Sequence, residues 1–364
     1  MRAIVFTGER AELRDDVELR ELRPSEVKVA VRAAGLCHSD LSVVNGTIET
    51  PVPLVMGHEG AGEVVEVGSA VRNVKVGDHV VISTVANCGV CPACSAGFPT
   101  RCRKSLGALS RPFIMEGMPL FNFAAASTFA EQTIVSETQA IVIDPDVAFT
   151  SACIVGCAVM TGVGAVLNRA RLAPGESAAV FGVGGVGLNV IQGCRIAGAG
   201  AVIAVDTVAS KEPVAREMGA THFVDASATD PVEEIRKITG AVKLGPLAIG
   251  GVDWSFECTG HPTVLSKALE VLEWGGNCVA LGIPAAGVEV AVEVRHLAYV
   301  DRGLLGCRYG QARPGRDIPL YMGLYKEGRL KLDELVSDVY PLESFHEAAE
   351  ALEHAKVSKA VFTL

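Results

Sequence analysis

The sequence predicts an α/β protein of two domains, a mainly antiparallel β domain joined to a doubly wound parallel sheet. Three observations carry this. The 364 residues are long for one hydrophobic core and comfortable for two. Short alternating runs broken by glycine, such as EVKVAVRAAG and GAGEVVEVGSAVRNVKVGDHVVI, fill the first part of the chain, as in a twisted β domain with frequent turns. Farther on, apolar strands such as AAVFGV, AVIAVD and NCVALGI alternate with helical stretches, the pattern of a parallel sheet covered by helices.

Taken in order, MRAIVFTGERAELR reads as an opening strand, because its charges come too early and its apolar run is too short for a signal peptide. The alternating zone follows, then the α/β zone. The tail carries the helix-like FHEAAEALEHA and a final strand-like KAVFTL. Hydrophobic residues at 49% and charged residues at 20% describe a chain with a large core. A net charge of -10 argues against an extended nucleic-acid surface, so no nucleic-acid partner is expected. No apolar run approaches the roughly 18 residues of a membrane span, and a cytoplasmic location without membrane partners is the expectation.

Eleven cysteines, an odd number without a secretory signal, suit metal ligation better than a disulfide framework. The stretch CGVCPACSAGFPTRC sets Cys88, Cys91, Cys94 and Cys102 in a C-x2-C-x2-C-x7-C array. Such a tetrad wraps one Zn2+ tetrahedrally, with each sulfur about 2.3 Å from the metal. An iron–sulfur cluster takes the same ligand type.

The second motif, VFGVGGVGLNV, holds Gly182, Gly184 and Gly187 in a G-x-G-x-x-G turn that also contains Gly185 and Val186. It follows a predicted strand and opens a helix, so its backbone can approach a pyrophosphate seated on the helix N-terminus. Asp206 ends the next strand, AVIAVD, where its carboxylate accepts from adenosine ribose hydroxyls and repels a 2′-phosphate, favouring NAD over NADP. Lys211 either flanks the adenosine or sits solvated at a helix end. A third constellation is scattered over GLCHSD, GHEGAGEVVEVG and CIVGCAVMTGVG, which offer Cys37, His58 and Cys157. Each alone is ordinary, but two thiolates and an imidazole are a known set for catalytic zinc.

On GHEGAGEVVEVG, the four-cysteine lobe, the glycine turn and Asp206, in that order along the whole chain, the sequence resembles the zinc-dependent alcohol dehydrogenases of the medium-chain dehydrogenase/reductase superfamily, in their longer form. The resemblance implies a GroES-like mainly-β catalytic domain over residues 1–158, with the zinc lobe, and a Rossmann domain over 159–308. Residues 309–364 then return to complete the catalytic domain. It implies Cys37, His58 and Cys157 as catalytic zinc ligands, Asp40 as the carboxylate holding His58, and Glu59 as the acid beneath the metal. Ser39 becomes the hydroxyl on the substrate alcohol, Thr161 packs behind the nicotinamide, and His38 and Lys359 lie on the cofactor phosphates. The four lobe cysteines become a structural zinc site.

Two departures bear on function. Ser42 stands where longer members often carry a relay histidine, and Thr84, with Ile48, lines a roomy channel where some members place a large aromatic. The implied reaction is reversible NAD-linked oxidation of an aryl, allylic or medium-chain alcohol to aldehyde or ketone, with two Zn2+ per chain. The alternative is a related zinc enzyme such as a thiol-dependent formaldehyde dehydrogenase or a polyol dehydrogenase, although the charged contacts of the former are not found at the matching positions. The active site is expected at the carboxyl ends of the parallel strands, and self-association through the Rossmann domain is expected to give a dimer or tetramer.

Overall fold

The computed structural model describes residues 1–105, 110–244 and 247–364. The chain divides into two compact units, Met1–Met160 with Ala312–Leu364, and Thr161–Gln311. Both ends of the chain therefore build the first unit, and the second is one continuous stretch.

The first unit contains a seven-stranded sheet centred on the strand Glu26–Gly35, whose period-two pattern buries Val27, Val29 and Val31. Glu59–Val67 pairs antiparallel along its length, and Gln132–Ser136 and the final strand Ala360–Thr363 pair with it too. A six-stranded sheet begins with the hairpin Ala3–Phe6 and Ala11–Arg14, so the expected opening strand is present. The helix Phe345–Glu353 buries Phe345, Ala348 and Leu352, three and four residues apart as one helical face requires. Phe345 and Phe362 meet Phe129 edge-on at 5.9 and 5.0 Å between ring centroids, which anchors the tail on the first part of the chain. Full burial of each such ring contributes about 1.5–3 kcal/mol.

The second unit is a six-stranded, wholly parallel sheet in the order His222–Asp225, Ala201–Asp206, Ser177–Phe181, Val252–Glu257, Leu272–Ala280, Gly303–Gly306. Chain order reverses between Ser177–Phe181 and Val252–Glu257, which makes that crevice the topological switch point. Local chemistry sets helix ends as elsewhere. Asp230 caps Pro231–Thr239 by accepting from the Val232 N–H at 2.8 Å, Pro231 opens the helix, and Gly240 closes it at φ 68°. An antiparallel pair, Val242–Leu244 with Leu247–Ile249, stands outside the main sheet and has no counterpart in the sequence reading. The GroES-like and Rossmann architectures expected from the sequence are both present. No single helix among the described residues is long and apolar enough to cross a membrane.

Candidate metal and dinucleotide sites

Sheet register assembles the first site. Gly35 pairs with Glu59, so the chain just after one strand lies beside the chain just before the other. This brings Cys37, which caps the helix His38–Val44, to His58. Cys157 closes the turn Ile154–Gly156 and supplies the second sulfur. Ligand atoms of Cys37, His58, Glu59 and Cys157 all lie within 4.8 Å of one another.

Asp40 is fully buried and has two tasks. Its Oδ2 accepts from the Cys37 backbone N–H at 3.0 Å, and its Oδ1 meets His58 Nδ1 at 3.1 Å. A buried carboxylate can only accept there, so Nδ1 carries the hydrogen and Nε2 keeps its lone pair for a metal. Burial opposes a charged His58, yet the Asp40 charge and hydrogen bond, with Cys37, raise its pKa well above the usual value. A hydrogen bond from Cys157 holds the Cys37 thiol well below its ordinary range despite burial, with help from His58 and Lys359. The same bond, with burial, drives Cys157 upward. The donors thus share protons that a divalent cation would replace.

Glu59 completes the test of fit. It is wholly buried, and neither carboxylate oxygen accepts a hydrogen bond. The Lys359 ammonium lies 2.5 Å from Glu59 Oε2 as an ion pair, off the hydrogen-bond direction, and donates instead to the Leu36 carbonyl at 3.1 Å. Burial pushes the Glu59 carboxyl up to about 7 against the pull of Lys359. A Cβ on Gly35 would fall 2.2 Å from Glu59 Oε2, so glycine leaves the space this carboxylate occupies. A buried carboxylate whose one partner is the Lys359 ion pair, set beside two sulfurs and an imidazole, suits a divalent cation.

Lys359, expected on the cofactor phosphates, is 4% exposed and here faces the metal donors, because strand Ala360–Thr363 pairs Val361 with Gly35 and carries Lys359 beside the site. Ser39 is half-buried, and its Oγ accepts from Cys37 Sγ at 3.8 Å. His38 is exposed, and Ser42, Ile48 and Thr84 are half-buried. Cys153 shares its segment with Cys157 but donates to the Thr150 carbonyl at 3.2 Å and stays outside the donor set. Sequence reasoning missed Phe123, whose ring stands edge-on to His58 at 5.2 Å.

In the lobe, ligand atoms of Cys88, Cys91, Cys94 and Cys102 again lie within 4.8 Å of one another, and all four thiols are free. Sγ separations are 3.5 Å for Cys91–Cys94 and 3.7 Å for Cys102–Cys88. A tetrahedron with bonds of about 2.3 Å has edges of roughly 3.8 Å, so the spacing suits one zinc. Backbone N–H groups of Val90 and Cys91 lower Cys88, while burial raises Cys94 to about 11. Burial also opposes a charged Cys102, but backbone donors led by Cys88 bring it down to about 6.

In the second unit the glycine turn follows strand Ser177–Phe181, and Gly184 caps the helix Gly185–Ala197, whose first turn has no acidic residue. A Cβ on Gly187 would lie 1.8 Å from the Gly182 carbonyl, a close approach only glycine allows. Val186 lies in that first turn, and Thr161 is half-buried on helix Ala158–Gly164. Asp206 Oδ2 accepts from the Val183 N–H at 2.7 Å and from Lys211 Nζ at 3.0 Å, and its Oδ1 accepts from Val208 N–H at 3.0 Å. Lys211 is thus an ion-pair partner of Asp206, not a solvated helix-end lysine.

Comparison with known proteins agrees with this chemistry. Residues 23–145 match the alcohol dehydrogenase GroES-like domain family, and residues 185–326 match the zinc-binding dehydrogenase family. The alcohol dehydrogenase class-3 of Cereibacter sphaeroides is 34% identical over 357 residues, 95% of this chain and 94% of that protein. The S-(hydroxymethyl)glutathione dehydrogenase of Paracoccus denitrificans is 34% identical over the same shares. The crystal structure of benzyl alcohol dehydrogenase from Acinetobacter calcoaceticus superposes with a TM-score of 0.91 at 31% identity, covering 100% of this chain and 99% of that one. Two zinc ions and a nicotinamide dinucleotide are the cofactors these sites fit. With both donor sets, the glycine turn and the full-length matches in agreement, the chain belongs to the zinc-dependent alcohol dehydrogenases of the medium-chain dehydrogenase/reductase superfamily.

Proposed function

We propose that the protein catalyses NAD-linked, reversible oxidation of a small alcohol to its aldehyde or ketone. The observation that carries the reading is the Ser39 hydroxyl set against Cys37 Sγ, at the edge of a Cys–His–Cys donor set. Zinc held by Cys37, His58 and Cys157 supplies Lewis-acid activation of an alcohol oxygen. Asp40 fixes the His58 tautomer, Ser39 orients the substrate hydroxyl and takes up its proton while handing its own hydroxyl proton on to the nicotinamide ribose, and Glu59 lies beside the metal donors. Asp206 holds the adenosine ribose and disfavours a 2′-phosphate, although its pairing with Lys211 tempers that charge.

For the substrate, the sequence reading put aryl, allylic or medium-chain alcohols first and thiol conjugates second. The names of the curated relatives reverse that order and favour a hydroxymethyl thiol conjugate. Likeness to benzyl alcohol dehydrogenase, with the half-buried Thr84 and Ile48 as channel walls, supports an aryl alcohol as the second reading. Exposed Trp274, Tyr299 and Leu304 near the open edge strand Gly303–Gly306 support self-association through the Rossmann unit.

The test is NAD reduction by the purified zinc-loaded protein with formaldehyde plus glutathione, benzyl and cinnamyl alcohols, a medium-chain alcohol and ethanol. Formaldehyde oxidation that depends on glutathione establishes the first reading, and preference for benzyl alcohol without glutathione the second. No reduction with any of them overturns the proposal.

A further inference from the structure

We infer that Glu257 is a positioning residue for the nicotinamide half of the dinucleotide, acting by folding the turn 258–261, which packs against two other turns at the switch point of the parallel sheet. Glu257 ends strand Val252–Glu257, in the sequence FECTG, and is 1% exposed. Among the described residues no cation pairs with it. Its charge is met by its own neighbours instead. Oε1 accepts from the Thr259 N–H at 2.6 Å, from the Gly260 N–H at 2.9 Å and from the Thr259 hydroxyl, and Oε2 faces the Gly260 N–H at 3.2 Å.

Three loops meet at this residue and the turn that follows it, and only one of them is held by the carboxylate itself. The first is the turn 258–261, which the side chain folds directly. The second is the turn after strand Leu272–Ala280, where the Leu281 and Gly282 N–H groups both donate to the Glu257 backbone carbonyl, at 2.8 and 3.1 Å. A Cβ on Gly282 would fall 1.9 Å from the Gly260 nitrogen, so these two turns are in tight contact. The third is the glycine turn itself. Cys258 N–H donates to the Phe181 carbonyl at 2.9 Å, and the Thr259 methyl lies 2.7 Å from where a Gly182 Cβ would be.

These turns sit at the carboxyl ends of Ser177–Phe181, Val252–Glu257 and Leu272–Ala280, on both sides of the switch point. A dinucleotide lies across that crevice, with its adenosine half on the side of Ala201–Asp206 and its nicotinamide half on the side of Val252–Glu257. Glu257 therefore shapes the floor under the nicotinamide half, whereas the Asp206 carboxylate, held by Val183, Val208 and Lys211, serves the adenosine half without it. A buried carboxylate bound only by backbone and hydroxyl donors is also a rigid support, since each bond to a charged acceptor is stronger than its neutral counterpart.

The inference rests on the dinucleotide reading above, and the experiment separates the two. NADH and ADP-ribose binding to the full chain are measured by fluorescence and calorimetry for wild type, Glu257→Gln and Glu257→Ala, alongside thermal melting. ADP-ribose keeps the adenosine, the pyrophosphate and the second ribose and lacks only the nicotinamide ring, so the difference between the two ligands reports the floor under that ring. Removing the charge while keeping the side-chain shape should weaken NADH by about fivefold or more in Glu257→Gln, and Glu257→Ala should lose more. ADP-ribose affinity and the Tm of Glu257→Gln should stay near wild type. Unchanged NADH affinity in Glu257→Gln, or an equal loss for NADH and ADP-ribose, overturns the assignment, the latter because it marks a general structural role. A wild type that binds neither nucleotide overturns the functional reading and this inference with it.

Discussion

Replacing Asp40 by Asn tests how far the zinc site depends on a side chain that never touches the metal. The carboxylate accepts at both ends, from the Cys37 N–H at 3.0 Å and from His58 Nδ1 at 3.1 Å. An asparagine can satisfy only one end. With its carbonyl toward Cys37, its amide N–H faces Nδ1 and forces the ring proton onto Nε2, where a metal must bind. With its carbonyl toward His58, two donors confront each other at the helix cap. Once a metal holds Nε2 and Nδ1 must carry the ring proton, either arrangement sets two buried donors against each other, at a cost of about 1–3 kcal/mol. At about 1.4 kcal/mol per tenfold, this agrees with the roughly 10- to 100-fold loss typical when a ligand's orienting partner is removed. The assay is competition for zinc with a chromophoric chelator. Two metals should leave the variant at separate chelator concentrations, the lobe zinc as in wild type and the other at least about tenfold earlier. Wild-type retention of both metals would refute the tautomer argument.

Other expectations follow from the same geometry. Cys94→Ser should lower Tm and remove one zinc while the Cys37 site stays loaded, whereas Cys157→Ser should remove activity from a folded chain; metal analysis with thermal melting distinguishes them. Asp206→Gly removes the acceptor of Val183, Val208 and Lys211, so NAD binding should weaken and NADP, whose extra phosphate carries about -1.5 to -2 charge, should be better tolerated; the ratio of the two kcat/KM values reports this. Ser39→Ala should cost at least about 100-fold in kcat/KM and Ser42→Ala less than about tenfold, and equal losses would make Ser42 a relay member. Glu26 concerns acid stability. Burial pushes its carboxyl up, but its pairing with Arg20 and the Arg23 N–H leave it below its ordinary 4.5. Its contribution is therefore present above pH 4.5 and is lost as pH falls through the lower folded value, so Glu26→Gln should lose less Tm between pH 7 and pH 3 than wild type.

Much of this was legible in the sequence because the informative features are local. EVKVAVRAAG alternates and forms the strand Glu26–Gly35, and the glycine turn lies between a strand and a helix, as its spacing required. The lobe cysteines fall within one short stretch and converge. What was not legible depends on register between distant segments. Nothing near Lys359 announces that its ammonium will donate to Leu36, because that contact follows from pairing Val361 with Gly35. Phe123 reaches His58 through a turn with no motif of its own. Glu257 sits in FECTG, where an acidic residue after an apolar strand was a visible signal, but its partners on neighbouring turns were not.

The strand Ala360–Thr363 has a consequence for how the protein is made. The cation that faces Glu59, and the pairing that seats it, are supplied by Lys359 and the strand Ala360–Thr363, which come after the whole of the other unit. During synthesis the unit Thr161–Gln311 leaves the ribosome as one uninterrupted segment and can collapse at once, since domains generally fold as units in the order they emerge. The metal pocket cannot. Cys37 and His58 are translated early but wait, with a carboxylate beside them that has no cation, until residues 359–363 have been made and can dock. Assembly of the chemistry is thereby tied to a segment made after the whole of the other unit: a chain lacking residues 359–363 would carry an intact nucleotide fold and an unfinished metal centre.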